Sequence, residues 1–252
     1  MAIRDKDAAA ELRGLARSMF FSNEVIDSFL GGASAAQVRC VADLIGHEMA
    51  VRERNKRARL YRRARFPQPK SFDGYDFSQV AFPDGYTAGD LRSLAFVADA
   101  QDFVFHGQTG RGKTHLAIAV GSACIQAGMA VRFFTTAELA LALSRAARER
   151  SLESLMKELA RCDLLILDEF GYVPLDVESA RLLFQVVSAC YERRSVIFTT
   201  NIEFSKWGTV LADEKLASAL VDRVAHHGRL VEFGGKSRRV TDSLMLGNRK
   251  EP

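Results

Sequence analysis

The chain has 252 residues, 48% of them hydrophobic and 26% charged, an ordinary globular composition able to bury a core as one large domain or as a small one joined to a medium one. Its formal charge of +4 hides an asymmetry: residues 1–66 carry thirteen Lys/Arg against eight Asp/Glu, and the remainder is nearly neutral. Cys40, Cys124, Cys162 and Cys190 show no CxxC and no His at ligand spacing, which argues against a metal or disulfide framework and for a reduced, intracellular protein.

The opening "MAIRDKDAAAELRG" has no apolar core of signal-peptide length. In "AAELRGLARSMF" Leu12, Leu15, Ala16, Met19 and Phe20 recur at helical spacing, and "NEVIDSFL" predicts a short second helix stopped by Gly31-Gly32. "SAAQ" at 34–37 is a capping-box pattern opening a long helix, with Val38, Val41, Leu44 and Ile45 on one face, that ends before Pro67 and Pro69. These helices form an expected N-terminal domain, 1–66. Residues 67–87, rich in Pro, Gly, Asp and aromatics, read as a linker whose Phe72, Tyr75 and Phe77 pack on a neighbour.

From 88 to 252 strands and helices alternate. "DFVFHG", "AVRFFTT", "DLLILDE", "SVIFTTN" and "RLVEF" predict five strands separated by helices, an α/β domain with a parallel sheet covered on both faces. The weakly polar run from Leu116 to Val131 is broken by Gly121, Ser122, Gln126 and Gly128 and reads as a buried helix, not a membrane span. The expectation is a cytoplasmic protein with no membrane partner.

"GQTGRGKT", Gly107–Thr114, fits G-x-x-x-x-G-K-[ST] between a predicted strand and a predicted helix. Gly107, Gly110 and Gly112 let backbone N–H groups approach phosphate oxygens. Lys113 supplies charge to the β- and γ-phosphates, and the Thr114 hydroxyl can serve Mg²⁺. With Gln108, Thr109, Arg111 and His115, these residues form the expected nucleotide-binding set. Asp168 emerges at the end of "LLILD", where it can hold Mg²⁺ as a Walker B carboxylate, and Glu169 could polarise an attacking water. The adjacent glutamate suits an ATPase better than a small-molecule kinase. Asn201 closes the strand "SVIFTTN", where it could reach the γ-phosphate or simply cap a turn.

"GQTGRGKTHLA", "LLILDEFGYVPLDVESARLLFQVVSACYERRSVIFTTN", "LASALVDRVAHHG" and "GGKSRR" resemble the IstB-like ATP-binding transposition helpers of bacterial insertion sequences. That family is close to the replicative-helicase loaders within the AAA+ ATPases, and the resemblance covers essentially the whole chain. It implies a sensor-1 role for Asn201, an arginine finger at Arg223 reaching a neighbouring subunit's ATP, and a sensor-2 role for Arg239. Arg238 stands where the family has tyrosine, leaving open which of the two arginines reaches phosphate. The implied assembly is a homo-oligomer with ATP at its subunit interfaces, acting with a transposase. His226-His227 reads as a polar helix end.

The basic excess is concentrated in "VRERNKRARLYRRARF". Arg52, Lys56, Arg59 and Arg63 fall at spacings of four, three and four, forming one helical stripe, with Arg54, Arg57, Arg62 and Arg65 around the sides. Glu53 is the one acid among residues 51–65, so neutralising phosphates explains this helix better than internal pairing does. The expected partner is double-stranded DNA. The alternatives are a replicative-helicase loader acting on single strands, a P-loop kinase, and a scaffold that holds ATP without hydrolysing it.

Overall fold

The computed structural model describes residues 3–235 and residue 237. The chain falls into two compact units, Met1–Ala58 and Arg59–Pro252.

In the first unit, α1 (Ile3–Ser18), α2 (Asn23–Gly32) and the first part of α3 (Ala35–Ala64) bury Leu12, Val38 and Ala42 against Leu15, Phe29 and Ile45. The capping box forms as the sequence predicts. The Gln37 side chain accepts from Ser34 N–H at 2.8 Å, and Gln37 N–H donates to the Ser34 hydroxyl at 3.4 Å. The glycine pair does not stop α2, which runs through Gly32 and ends at an extended Ala33. The long helix α3 ends at Ala64, where Arg65 turns into the left-handed region at φ 61° ahead of Pro67.

The second unit is built on a sheet of β1 (Val80–Ala81), β2 (Asp102–Gly107), β3 (Val131–Thr135), β4 (Leu164–Phe170), β5 (Ser195–Thr200) and β6 (Gly228–Phe233). The spatial order is β1-β6-β2-β5-β4-β3. Five strands are parallel, as their buried apolar runs predict. The sixth corrects the expected count: β1 lies within the predicted linker and pairs antiparallel with β6 through Val80 and Phe233. Two residues are too few to show the period-2 alternation that marks a strand.

Side chains alternate across the sheet. Phe103, Phe105, Leu164 and Ile166 enter one core with α4 (Ala88–Ser93), α5 (Ala95–Ala98) and α6 (Lys113–Gln126). Val104, Leu165, Leu167 and Phe198 enter the other with α7 (Thr136–Arg148), α8 (Leu152–Leu159), α9 (Val177–Cys190), α10 (Trp207–Leu211) and α11 (Glu214–His227). Burial on both faces explains why these strands read as continuous apolar runs. The aromatics of 67–87 also find their neighbours here. Tyr75 is buried edge-on to Phe77, and the Arg92 guanidinium lies over Phe77 at 5.0 Å. Among the described residues no helix is long and apolar enough to cross a membrane.

Candidate nucleotide site

The phosphate loop joins β2 to α6 at the C-terminal edge of the sheet, where open α/β folds bind ligands. Glycine is required at its two ends. Gly107 has φ 149°, and a Cβ there would stand 2.4 Å from the Phe233 carbonyl oxygen; Gly112 has φ 92° and packs against Tyr75. Lys113 is buried, with Nζ donating to the carbonyls of Gly107 at 2.6 Å and Gln108 at 2.9 Å. Arg111 braces the loop by donating to the Phe233 carbonyl at 3.0 Å and to the Gln108 side chain at 2.8 Å.

The second half of the site rests on a break in strand pairing. Leu167 pairs with Phe198 and Phe170 with Thr200, so Asp168 and Glu169 together oppose Thr199. This bulge holds Glu169 in the left-handed region at φ 57°, a conformation disfavoured by about 1 kcal/mol for a residue with a Cβ. Thr199 stabilises it from the neighbouring strand: its hydroxyl donates to the Asp168 carboxylate and accepts from Glu169 N–H at 3.1 Å. Thr136 donates to the Asp168 carbonyl at 3.1 Å. Asp168 is thereby buried and fixed, while the Glu169 side chain faces outward.

The P-loop and Walker B residues meet directly. Thr114 Oγ1 donates to Asp168 Oδ1 at 2.8 Å, with Oδ2 at 3.1 Å. A hydroxyl beside a carboxylate is the hard-oxygen donor set that suits Mg²⁺, so these two residues fit that ion.

A cavity of about 790 Å³ borders this arrangement, lined by Thr109, Lys113, Thr114, Glu169, Tyr172 and Tyr75. His115 also lines it, and its ring finds partners that the sequence did not reveal, the Ser71 carbonyl at 3.2 Å and Tyr75. Asn201 lines a second cavity, of about 640 Å³, with Gly107, Gln108 and Arg111. The register pairs His106 with Thr200, so Asn201 leaves β5 beside Gly107.

Arg223 borders neither cavity. It lies on α11 with its guanidinium 4.6 Å from the Phe184 ring, and its buried Nη1 has no hydrogen-bond partner among the described residues. Arg238 and Arg239 lie outside the described residues.

Arg52, Arg54, Lys56, Arg59, Arg62 and Arg63 on α3, and Arg65 just beyond its end, are exposed, and Arg57 is half-buried. Arg52 pairs with Glu48 at 2.6 Å, an acid one turn before the basic run, and Arg57 pairs with Glu53 at 3.2 Å. No ion pair among the described residues engages the other six.

Tyr75, read in the sequence as a linker aromatic that packs on a neighbour, places its hydroxyl 3.4 Å from the Gly112 carbonyl. Two residues of the site lay beyond sequence reasoning. Tyr172 meets the Thr109 hydroxyl at 3.1 Å across 63 residues. Thr199 was visible only as part of "TTN", and its role depends on a bulge that no local pattern announces.

A family model described as IstB-like ATP binding protein matches residues 12–245. A Bacillus thuringiensis subsp. berliner protein, named as an ATP-binding protein of insertion sequence IS232, is 39% identical over 211 residues, 84% of each chain. Among solved structures, AMPPCP-bound DnaA from Aquifex aeolicus is similar with a TM-score of 0.53 at 18% identity, over 74% of this chain and 57% of its own. The DnaC helicase loader gives 0.51 at 18% identity, over 65% of this chain and 96% of its own. At such identities the likeness shows the fold alone, that of AAA+ P-loop proteins.

Proposed function

The chain belongs to the IstB-like ATP binding protein family, and from that premise we propose that it is a Mg²⁺-dependent ATPase that assembles on double-stranded DNA and assists a transposase. The observation that carries this reading is the Thr114–Asp168 contact, which brings the P-loop hydroxyl and the Walker B carboxylate to one point beside Glu169. Thr114 and Asp168 are the residues that would hold Mg²⁺, which when bound would offset the charge of the phosphates. Lys113 exchanges its loop carbonyls for β- and γ-phosphate oxygens. Glu169 orients a water whose oxygen bonds to the γ-phosphorus while the β–γ bridge breaks, its electron pair leaving on ADP; the water's proton passes to the glutamate. Asn201 senses the γ-phosphate from the end of β5.

Arg223 acts in trans in this proposal, completing the ATP site of a neighbouring copy. Its Nη1, without a hydrogen-bond partner among the described residues, and its absence from the lining of the two cavities described above support that role, and hydrolysis then depends on assembly. The exposed, unpaired arginines of α3 neutralise DNA phosphates with little sequence reading. Phe20, Phe21, Val25 and Leu44 stand exposed on the three-helix unit and offer apolar surface to the transposase.

The reading is tested by measuring ATP turnover alone, with duplex and with single-stranded DNA, for the wild type, Lys113→Ala and Glu169→Gln. Duplex stimulation lost in both variants supports it. Stimulation by single strands alone favours the helicase-loader reading, and bound but unhydrolysed ATP favours a scaffold.

A further inference from the structure

The C-terminal ends of α9 and α11 bring together two short runs that lie 35 residues apart, Tyr191-Glu192 and His226-His227. The sequence suggested only a polar helix end for the histidines. In the structure, Glu192, His226 and His227 each present a ligand atom, and the three atoms lie within 4.8 Å of one another. His227 Nε2 is 3.0 Å from Glu192 Oε1, and the two imidazole rings cross nearly perpendicularly with centroids 4.4 Å apart. Glu192 reaches this position from a left-handed backbone conformation, φ 57°, in the turn after α9.

A further contact concerns the outer face of the cluster. Tyr191 OH lies 2.9 Å from His226 Nδ1. The contact allows Nδ1 to donate to the phenol oxygen, and in that tautomer Nε2 carries the free lone pair. Metal-binding histidines are commonly held through their second nitrogen in this way. Three ligands from two helix ends leave further coordination positions to water or to a group from another molecule.

We propose that Glu192, His226 and His227 form a binding site for a divalent ion of the zinc class, tying the end of α9 to the end of α11. Two imidazoles and one carboxylate suit borderline ions such as Zn²⁺ and Co²⁺ and are a poor match for Mg²⁺ or Ca²⁺, which favour oxygen alone. The site is separate in composition from the Thr114–Asp168 pair. It also has a structural consequence: α11 carries Arg223 one turn before the histidines, and Arg223 packs on Phe184 of α9. A metal clamp would therefore fix the two helices between which that arginine is held.

The test uses the full chain without an affinity tag, in a Cys40→Ser background that removes the exposed thiol. Zn²⁺ is titrated by calorimetry in the presence of excess Mg²⁺, and Co²⁺ by its visible absorption. The expected result is one ion per chain. Affinity should fall at least tenfold in His226→Ala, in His227→Ala and in Glu192→Gln, and by about tenfold in Tyr191→Phe, the range for an outer-shell contact. Circular dichroism confirms that each variant is folded; all four positions lie at the surface ends of helices. Two outcomes would overturn the proposal: no saturable Zn²⁺ binding, or binding of unchanged strength in a folded His226→Ala/His227→Ala double variant. ATP turnover is measured separately, so failure of the metal site and failure of the ATPase reading remain distinguishable.

Discussion

The phosphate loop with its Walker B partner and the basic end of α3 solve opposite electrostatic problems. Around Asp168 each polar group is held by another: Thr114, Thr199 and Thr136 converge on one residue, and Lys113 is buried with its ammonium on two carbonyls. At the basic end of α3, Arg54, Lys56, Arg59, Arg62 and Arg63, with Arg65 in the turn that follows, stand in solvent, with no ion pair among the described residues. A preorganised site concentrates its function in single groups, because each dipole is fixed before the ligand arrives. An exposed row of like charges spreads its function over many weak, salt-screened contacts.

The sharpest way to break that contrast is to remove one group from the first region. Lys113→Ala is expected to lower ATP turnover by about 10³-fold, read by phosphate release, and near-normal turnover would refute the assignment. Arg223→Ala should lower turnover by a similar factor, about 10³-fold or more, while leaving each subunit's own ATP site intact. Mixing it with Lys113→Ala protein should restore part of the activity, because each variant supplies what the other lacks. No recovery in mixed samples would argue against action in trans.

Smaller, graded effects belong to the second region. Replacing Arg54, Arg59 and Arg63 by alanine, one after another, should weaken duplex binding stepwise. Each loss should reduce the slope of log affinity against log salt by about one, measured by fluorescence anisotropy. An all-or-none loss at a single position would contradict the distributed picture.

The smallest effect concerns stability. Burial pushes the Asp102 carboxyl up to about 7, opposed by the Val196 N–H that donates to it at 2.7 Å. Between the ordinary carboxylate value near 4 and 7, the folded chain binds a proton that the unfolded chain releases. The stability contributed by this group is therefore full below about pH 4 and falls as pH rises to 7. Asp102→Asn keeps an acceptor for Val196 and should flatten that part of the denaturation profile. A profile identical to the wild type would show that the carboxyl does not titrate in this range.

What the sequence made legible follows from how locally each feature is encoded. The phosphate loop is contiguous, and its glycines and lysine have roles set by spacing alone, so the whole loop could be read. The five parallel strands were legible because Leu164–Leu167 and their counterparts are buried on both faces. Cross-strand features were not: the bulge at Asp168-Glu169 depends on the register against Phe198 and Thr200, and Thr199 acquires its role only through it. The two-residue strand at Val80 is fixed by its partner, Phe233, and not by any pattern of its own. Glu192 and the histidine pair illustrate the same limit at longer range, since helix packing alone brings them together.

The central claim is that nucleotide turnover is coupled to assembly on duplex DNA, and Glu169→Gln tests it most directly. Sizing by light scattering with ATP and a duplex should show this variant retained as a large complex while hydrolysis falls by about 10²–10³-fold. Wild-type protein under the same conditions should disassemble as ATP is consumed. If Glu169→Gln protein remains the same size with and without ATP and DNA, or hydrolyses ATP as the wild type does, the account is wrong.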